Sequence, residues 1–154
     1  MPPGIQDRFN AFIAEKGLRR TVQRDAIVAA AFSTTEHYTA EDLLVMARKI
    51  EPSVSRATVY RTLPLLTACG VLKEMDFGRD HTFYDPNYAE HPHHNHLICV
   101  DCHRIVEFED QHIELLENCI SKRLGFSPAS KSLRIEASCD ELRKNGECLN
   151  RKAG

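Results

Sequence analysis

The segment from His91 to Glu107 contains the residues of this chain that are best suited to chemistry. Five of the eight histidines lie between His91 and His103, and Cys99 and Cys102 form a Cys-x-x-Cys pair among them. Imidazole and thiolate are preferred ligands of zinc, and imidazole also binds iron(II) and nickel(II). This cluster predicts a metalloprotein.

The Cys-x-x-Cys pair predicts a structural zinc site. A closed tetrahedral site needs two more ligands, and Cys139 and Cys148 are the natural partners of Cys99 and Cys102. Four cysteines would tie the C-terminal tail to the strands around the pair, and bound zinc would contribute on the order of 10 kcal/mol to folding. The alternative is a dithiol redox pair, but that motif normally opens a helix in a βαβ unit, a context that the pattern here lacks.

The remaining histidines indicate a second metal site, because four zinc thiolates would leave them without a role. His94 and His96 project from the same side of an extended strand, since side chains alternate along a strand. Asp85 and Glu107 add oxygen donors, and a set of histidines and carboxylates suits iron(II), manganese(II) or zinc(II). A single histidine is as often an exposed surface residue, but the density of this cluster favours a site.

The composition limits the kind of protein. The 154 residues are 42% apolar, which is enough for one ordinary domain or two small ones. No run approaches the ~20 apolar residues of a membrane span, and the N-terminus does not resemble a signal peptide, so we expect a cytoplasmic protein with reduced cysteines. The net charge of -2 gives no overall indication of nucleic-acid binding, so that function must rest on local features.

Apolar spacing and capping residues predict a helical first half. Four helices are expected at Ile5 to about Gly17, Val22 to Phe32, Thr39 to Ile50 and Arg56 to Cys69, with N-terminal caps at Thr21, Thr39 and Ser55. Ile50 is expected to face inward, and Cys69 and Cys119 are expected to be buried thiols on apolar helix faces. Residues 71–77 and 81–84 resemble a hairpin, which after two helices joined by a short turn predicts a winged helix.

The fourth predicted helix carries side chains suited to DNA. Guanidinium, hydroxyl and aromatic groups can contact phosphates and base edges, although a solvated helix face has the same composition. The residues expected to contact DNA are Arg56, Thr58, Tyr60 and Arg61, with Arg19, Arg20 and Arg24 on backbone phosphates.

After a boundary near Pro86 to Pro92, the pattern predicts a small α/β domain. We expect strands at His96 to Val100, His103 to Phe108 and Ser132 to Ser138, and a helix from Glu109 to Leu124 with Ile113, Leu116, Ile120 and Leu124 aligned on one face. A domain of about 65 residues has a thin core, for which a metal or an oligomer interface is the usual remedy.

Several motifs in one order resemble the ferric uptake regulator family. They are the segments 57–63 (ATVYRTL), 37–42 (HYTAED), 93–102 (HHNHLICVDC) and 105–108 (IVEF). The resemblance spans Ile5 to Cys148 and implies a homodimeric, metal-dependent repressor that binds palindromic operators in double-stranded DNA. The implied fold is α+β, with an N-terminal winged helix-turn-helix domain (1–86), a hinge at about 86–92 and a small C-terminal α/β dimerisation and metal-binding domain (93–154).

The same resemblance implies which residues bind metal. By position, structural zinc(II) falls on Cys99, Cys102, Cys139 and Cys148, although the family's second cysteine pair is usually closer together. The regulatory metal, iron(II) in vivo with manganese(II) or zinc(II) as substitutes, falls on His37, Asp85, His94, His96 and Glu107. One ion bound across the hinge would fix the angle between the domains, so its loss would lower the population competent to bind DNA.

The family often has a further site of His, Asp, Glu and His ligands. The corresponding residues here are His93, Asn95, Glu114 and Lys131. An amide and an ammonium replace two ligands, and Lys131 would repel a cation, so we expect this degraded site to be empty. The residues that could restore it are His91, His103 and His112.

Two positions bear on the signal that is sensed. Glu107 stands where peroxide-sensing relatives usually carry Asp, which favours an iron sensor, whereas Asp85 stands where iron sensors often carry Glu. We expect iron-dependent repression of uptake genes, with peroxide or zinc sensing as alternatives.

An enzyme, either a metal-dependent hydrolase or a dithiol oxidoreductase, is the rival class of protein. The sequence has no general-base motif such as His-Glu-x-x-His, so we expect no catalytic residues. A third class, a zinc-stabilised interaction module, would leave His37 and Asp85 without a role.

Overall fold

The computed structural model describes residues 4–76, 82–87, 94–102, 104–129 and 131–146. The chain divides into two units, Met1–Pro92 and His93–Gly154. Helices and short strands occur in both, which is the α+β class expected from the sequence. No helix within the described ranges is long and apolar enough to cross a membrane.

The first unit contains four helices whose boundaries are set by capping residues. They are α1 (Ile5–Glu15), α2 (Val22–Ala31), α3 (Ala40–Ile50) and α4 (Arg56–Ala68). The side chains of Thr21 and Ser55 each accept a backbone amide of the following first turn, and Thr39 and Asp42 form a capping box. Gly70 follows α4 with φ 72°, a conformation that glycine adopts at little cost. The predicted helices are confirmed to within about two residues.

The core of the first unit draws on all four helices. Phe9, Ile27, Leu43 and Leu63, one from each helix, are at most 1% exposed, and burial of such side chains is the main contribution to stability. The prediction that Ile50 faces inward is wrong, because this residue is 53% exposed. Ile50 is the last residue of α3 and lies beyond the edge of the core, although it continues the apolar spacing of the helix.

A three-stranded antiparallel sheet completes the winged helix. Its strands are β1 (Tyr38–Thr39), β2 (Lys73–Asp76) and β3 (Thr82–Asp85), in the order β1-β3-β2. The strands of the predicted hairpin are confirmed, whereas residues 77–81, which include its turn, lie outside the described residues. The sequence pattern does not predict β1, which pairs Tyr38 with Tyr84 and so brings His37 to the end of β3.

The second unit is a three-stranded sheet with two helices. Strand β4 (Asn95–Cys99) lies between β5 (Ile105–Phe108), which is antiparallel to it, and β6 (Arg134–Ala137), which is parallel. Helix α5 (Gln111–Arg123) begins after Asp110, whose carboxylate accepts two backbone amides. Helix α6 (Asp140–Asn145) was not predicted, because six residues are too few to show an apolar period.

Helix α5 has no buried residue in the single chain. Leu116 and Leu124 on its apolar face are 60% and 64% exposed. Cys119 is also exposed, so the prediction of a buried thiol is wrong there. Helical spacing identifies an apolar face without showing what covers it. Cys69 in the first unit is buried as predicted, and burial raises the pKa of its thiol.

Candidate metal centres and nucleic-acid interface

The second unit brings two histidines and a carboxylate together. His96 on β4 pairs with Glu107 on β5, and His94 directly precedes β4, so alternation puts both imidazoles on one side. Their ring centroids lie 4.6 Å apart, with an interplanar angle of 70°. Oε1 of Glu107 lies 3.8 Å from Nε2 of His94. One ligand atom from each of these three residues lies within 4.8 Å of the others.

Both imidazoles of this cluster are buried. His94 is 8% exposed and His96 is 2% exposed, whereas Glu107 is half-buried. Two ring nitrogens and a carboxylate oxygen at this separation fit a divalent ion such as iron(II), manganese(II) or zinc(II). The structure thus brings together the three ligands that the sequence predicts for this part of the chain.

The first unit brings a smaller set together. Asp85, the last residue of β3, is fully buried, and His37, directly before β1, is half-buried. The antiparallel pairing of Tyr38 with Tyr84 places His37 opposite Asp85, and a ligand atom of each lies within 4.8 Å of the other. Burial and the charge of Asp85 raise the pKa of Tyr38, so this phenol stays neutral. A divalent cation is a suitable counter-charge for a carboxylate in such a place.

Three of the four predicted zinc ligands lie at one end of the second sheet. Cys99 ends β4, Cys102 lies in the turn that follows, and Cys139 comes just after β6, which runs parallel to β4. Burial alone would raise the pKa of the Cys99 thiol, but the backbone amides of Cys102 and Asp101 lower it on balance. Cys148 lies outside the described residues. Among the described residues, the sulfur atoms of these three cysteines do not all lie within 4.8 Å of one another, whereas one ligand atom from each of His94, His96 and Glu107 does.

The predicted third metal site contains the ammonium group of Lys131. Nζ of Lys131 lies 3.6 Å from Oε1 of Glu114 and 3.8 Å from Oε2 of Glu117, and it donates to Oδ1 of Asn118 at 3.3 Å. Its ammonium therefore supplies positive charge beside these carboxylates. Asn95 lies on β4 and His112 is exposed at the start of α5, whereas His91, His93 and His103 lie outside the described residues.

Three of the predicted DNA-contacting residues are exposed on α4. They are Arg56, Tyr60 and Arg61, whereas Thr58 is half-buried. The guanidinium of Arg56 lies 5.5 Å from the centroid of the Tyr60 ring. Both side chains contact Glu41 on α3, through an ion pair of 2.7 Å and a hydrogen bond of 2.9 Å from the Tyr60 hydroxyl. The sequence does not single out Glu41, because spacing along one helix does not show a contact between two helices.

A surface pocket of about 420 Å³ lies beside the start of α4. It is lined by Thr21, Val22, Gln23, Arg24, Ser53, Thr58 and Arg61. Gln23, which the sequence pattern does not single out, donates to the Ser53 carbonyl at 2.9 Å and accepts from the Thr58 hydroxyl at 2.8 Å. Gln23 therefore joins α2 to the turn and to α4. Its only sequence signal is a polar side chain in the first turn of a helix.

The three predicted phosphate-binding arginines lie near the start of α2. Arg20 pairs with Asp25 at 2.8 Å, and the guanidinium of Arg24 donates to the Arg19 carbonyl. Arg19 and Arg20 are exposed and Arg24 is half-buried. Their charges suit contact with a phosphate backbone.

Comparison with known proteins agrees with this geometry. The model of the ferric uptake regulator family matches residues 15–136. The ferric uptake regulation protein of Campylobacter jejuni is 34% identical over 151 residues, which cover 97% of this chain and 91% of that protein. The protein of the same name from Bacillus subtilis is 33% identical over 136 residues, covering 86% of this chain and 91% of that protein.

Solved structures show the same relationship. The Helicobacter pylori ferric uptake regulator, described as having three functional metal-binding sites, matches with a TM-score of 0.84 at 25% identity, over 94% of this chain and 95% of that chain. The ferric uptake regulator from Francisella tularensis with iron matches with a TM-score of 0.72 at 27% identity, over 83% and 96%. This chain therefore belongs to the ferric uptake regulator family, whose members are metal-dependent transcriptional regulators and not enzymes.

Proposed function

We propose that this chain is a cytoplasmic repressor that binds operator DNA when it is loaded with iron(II) and thereby controls iron-uptake genes. The observation that carries this proposal is the group formed by the buried His94 and His96 and the half-buried Glu107, in a chain whose first unit is a winged helix. A regulator of this family needs a metal site and a DNA-binding surface, and the described residues supply candidates for both.

The regulatory ion is proposed to take ligands from both units. The set is His37, Asp85, His94, His96 and Glu107. The first unit contributes two donors and the second contributes three, so together they supply five of the roughly six ligands that an octahedral ion prefers, more than either set alone. An ion shared by both restricts the angle between the units. Its loss allows other angles, and operator affinity falls with the population that is lost.

A structural zinc ion is proposed to be held by Cys99, Cys102, Cys139 and Cys148. The Cys-x-x-Cys turn supports this, because the backbone amide of Cys102 donates to the Cys99 sulfur at 3.5 Å and so favours a thiolate. Zinc at this point would join the end of β4 to the C-terminal segment. We expect it to stay bound when the regulatory metal leaves.

The first unit is proposed to contact double-stranded DNA through α4. Tyr60 and Arg61 are assigned to base edges, and Arg56 and Thr58 are assigned to the part of the interface next to these two residues. Backbone phosphates are assigned to Arg19, Arg20 and Arg24. The pocket between Arg24 and Arg61 has cationic and hydroxyl groups that suit a phosphate. Loss of one base-edge contact should cost about 1–3 kcal/mol, whereas loss of a phosphate contact should mainly reduce the dependence of binding on salt.

The protein is proposed to act as a homodimer through α5. Leu115, Leu116, Ile120 and Leu124 form an exposed apolar surface on this helix, and contiguous surfaces of this kind mark interaction sites. A dimer with twofold symmetry would present two α4 helices to a palindromic operator. The third metal site is proposed to stay empty, because Lys131 already lies beside Glu114, the one carboxylate of that site, and beside the neighbouring Glu117.

Iron(II) is the proposed signal because Glu107 is the ligand expected of an iron sensor and because the relatives compared above are named as ferric regulators. Zinc sensing is an alternative, since the same donors bind zinc(II). Peroxide sensing is the other alternative, since iron(II) bound by histidine and carboxylate can be oxidised there.

Substitution of His37 and Asp85 tests the shared ion. We expect His37→Ala and Asp85→Asn to lose metal-dependent operator binding, while zinc content by elemental analysis and dimer mass by light scattering match wild type. His112→Ala is the control, because it removes an exposed histidine outside the proposed set. Metal-dependent binding that survives both substitutions would contradict the proposal.

A further inference from the structure

Glu41 joins the two helices of the helix-turn-helix through one carboxylate oxygen. This oxygen, Oε1 of a residue in the first turn of α3, accepts a hydrogen bond of 2.9 Å from the Tyr60 hydroxyl and pairs with Arg56 at 2.7 Å. The guanidinium of Arg56 in turn lies 5.5 Å from the centroid of the Tyr60 ring. The three side chains form a closed set of contacts on the proposed DNA-binding surface.

The position of Glu41 follows from how α3 begins. The neighbouring carboxylate of Asp42 accepts both the backbone amide and the hydroxyl of Thr39 in the capping box, so it is engaged locally. Glu41 is the other acid of this first turn and reaches α4 instead. Arg56 and Tyr60 are four residues apart on α4 and therefore lie on one face of the helix.

These contacts contribute little to the stability of the fold. The side chains of Arg56 and Glu41 are 67% and 52% exposed, and exposed ion pairs are weak and screened by salt. A carboxylate beside α4 nevertheless repels DNA phosphates that come within roughly 10 Å, the Debye length at moderate ionic strength. The effect of Glu41 should therefore appear in DNA binding and not in folding.

We propose that Glu41 is a positioning residue that increases the selectivity of the DNA-binding surface, an inference that rests on the proposed function. In the free protein it holds Tyr60 and keeps Arg56 paired. On any DNA, Arg56 must leave this carboxylate to contact the DNA, while the carboxylate repels the phosphate backbone. That cost is the same on every DNA, but only on the operator does the Tyr60 hydroxyl that Glu41 holds in place add base contacts, so Glu41 weakens binding to non-specific DNA more than binding to the operator.

Two substitutions separate the charge of Glu41 from its hydrogen bond. Glu41→Gln removes the charge but keeps an amide oxygen that can accept from Tyr60. Glu41→Ala removes both. Glu15→Gln is the matched control, because Glu15 is an exposed carboxylate at the end of α1 and its substitution changes the net charge by the same amount.

The test uses fluorescence anisotropy of the full-length protein loaded with manganese(II), at several salt concentrations. The probes are a duplex selected by the wild-type protein from a random-sequence pool and a scrambled duplex of the same composition. We expect Glu41→Gln to bind the scrambled duplex roughly three- to tenfold more tightly, with a salt slope steeper by about one unit per bound subunit. Glu41→Ala should bind the selected duplex more weakly than Glu41→Gln does, and Glu15→Gln should match wild type.

Two results would overturn the role of Glu41 while leaving DNA binding intact. One is a Glu41→Ala protein that keeps the wild-type ratio of affinities for the selected and scrambled duplexes, because Glu41 would then have no effect on selectivity. The other is an equal gain in the Glu15→Gln control, because net charge alone would then account for the effect. A wild-type protein that selects no duplex from the pool would instead contradict the proposed function, and the role of Glu41 with it.

Discussion

The imidazole rings of His94 and His96 meet edge to face, with their centroids 4.6 Å apart. Both rings are buried, and the pairing of β4 with β5 holds Glu107 beside them. Donors that are fixed in this way by sheet pairing and burial need little rearrangement when a metal binds. We therefore expect the second unit to carry the part of the regulatory site that binds metal most strongly.

Replacement of His96 by Ala tests that expectation. We expect the cobalt(II) absorption of the regulatory site to disappear and operator affinity in the presence of metal to fall roughly 5- to 150-fold, the ordinary range of coupling between two sites. His112→Ala removes an exposed histidine and should leave both readouts at wild-type values. A His96→Ala protein with unchanged cobalt(II) absorption would remove His96 from the site.

Glu107 is expected to protect bound iron from peroxide chemistry. Treatment of the iron(II)-loaded protein with hydrogen peroxide should leave His37 and His94 unoxidised in peptide mass spectra. Glu107→Asp, the residue usual in peroxide-sensing relatives, is the comparison variant and should gain one oxygen on a histidine. The addition of one oxygen to either histidine in the wild-type protein would make this chain a peroxide sensor.

Lys131 is expected to keep the third site free of divalent metal. Its Nζ lies 3.6 Å from Glu114 and 3.8 Å from Glu117, so Lys131→Gln removes a positive charge from beside two carboxylates. We expect calorimetric titration with manganese(II) to show one additional weak site in this variant. Lys122→Gln, which removes an exposed lysine near the end of α5, should show none. A third site that binds manganese(II) in the wild-type protein would contradict the expectation.

The apolar face of α5 is expected to form the dimer interface. Leu116→Glu places a charge on a surface that would be buried between two copies, and burial of an unpaired charge is costly. The dimer dissociation constant, measured by analytical ultracentrifugation, should rise by roughly 30-fold or more. Gln111→Glu, at the exposed start of the same helix, should leave it unchanged. An equal effect of both substitutions would point to charge on α5 and not to this face.

The helices and most ligand positions could be predicted from sequence because their signals are local. Thr21 and Ser55 cap helices through side chains a few residues from the amides that they accept, and a two-residue spacing is enough to put His94 and His96 on one side of a strand. These relationships do not depend on what packs against the element.

The features that the sequence did not reveal depend on contacts between distant segments. Strand β1 has only two residues and exists through its pairing with β3. The contacts of Gln23 with Thr58 and of Glu41 with Tyr60 join residues 35 and 19 positions apart. The exposure of Ile50 and Cys119 has the same origin. Apolar spacing predicts which face of a helix is apolar, but it does not show how much of that face other segments cover.

A labile metal is expected to switch DNA binding on. The most direct measurement is anaerobic fluorescence anisotropy with a palindromic operator-like duplex, using protein stripped of its labile metal and then titrated with iron(II), manganese(II) or zinc(II). We expect tight binding at micromolar iron(II) and none at trace zinc(II). Activation at much lower free zinc(II) would make the chain a zinc sensor, and binding that does not change with any of the three metals would contradict a metal-dependent switch.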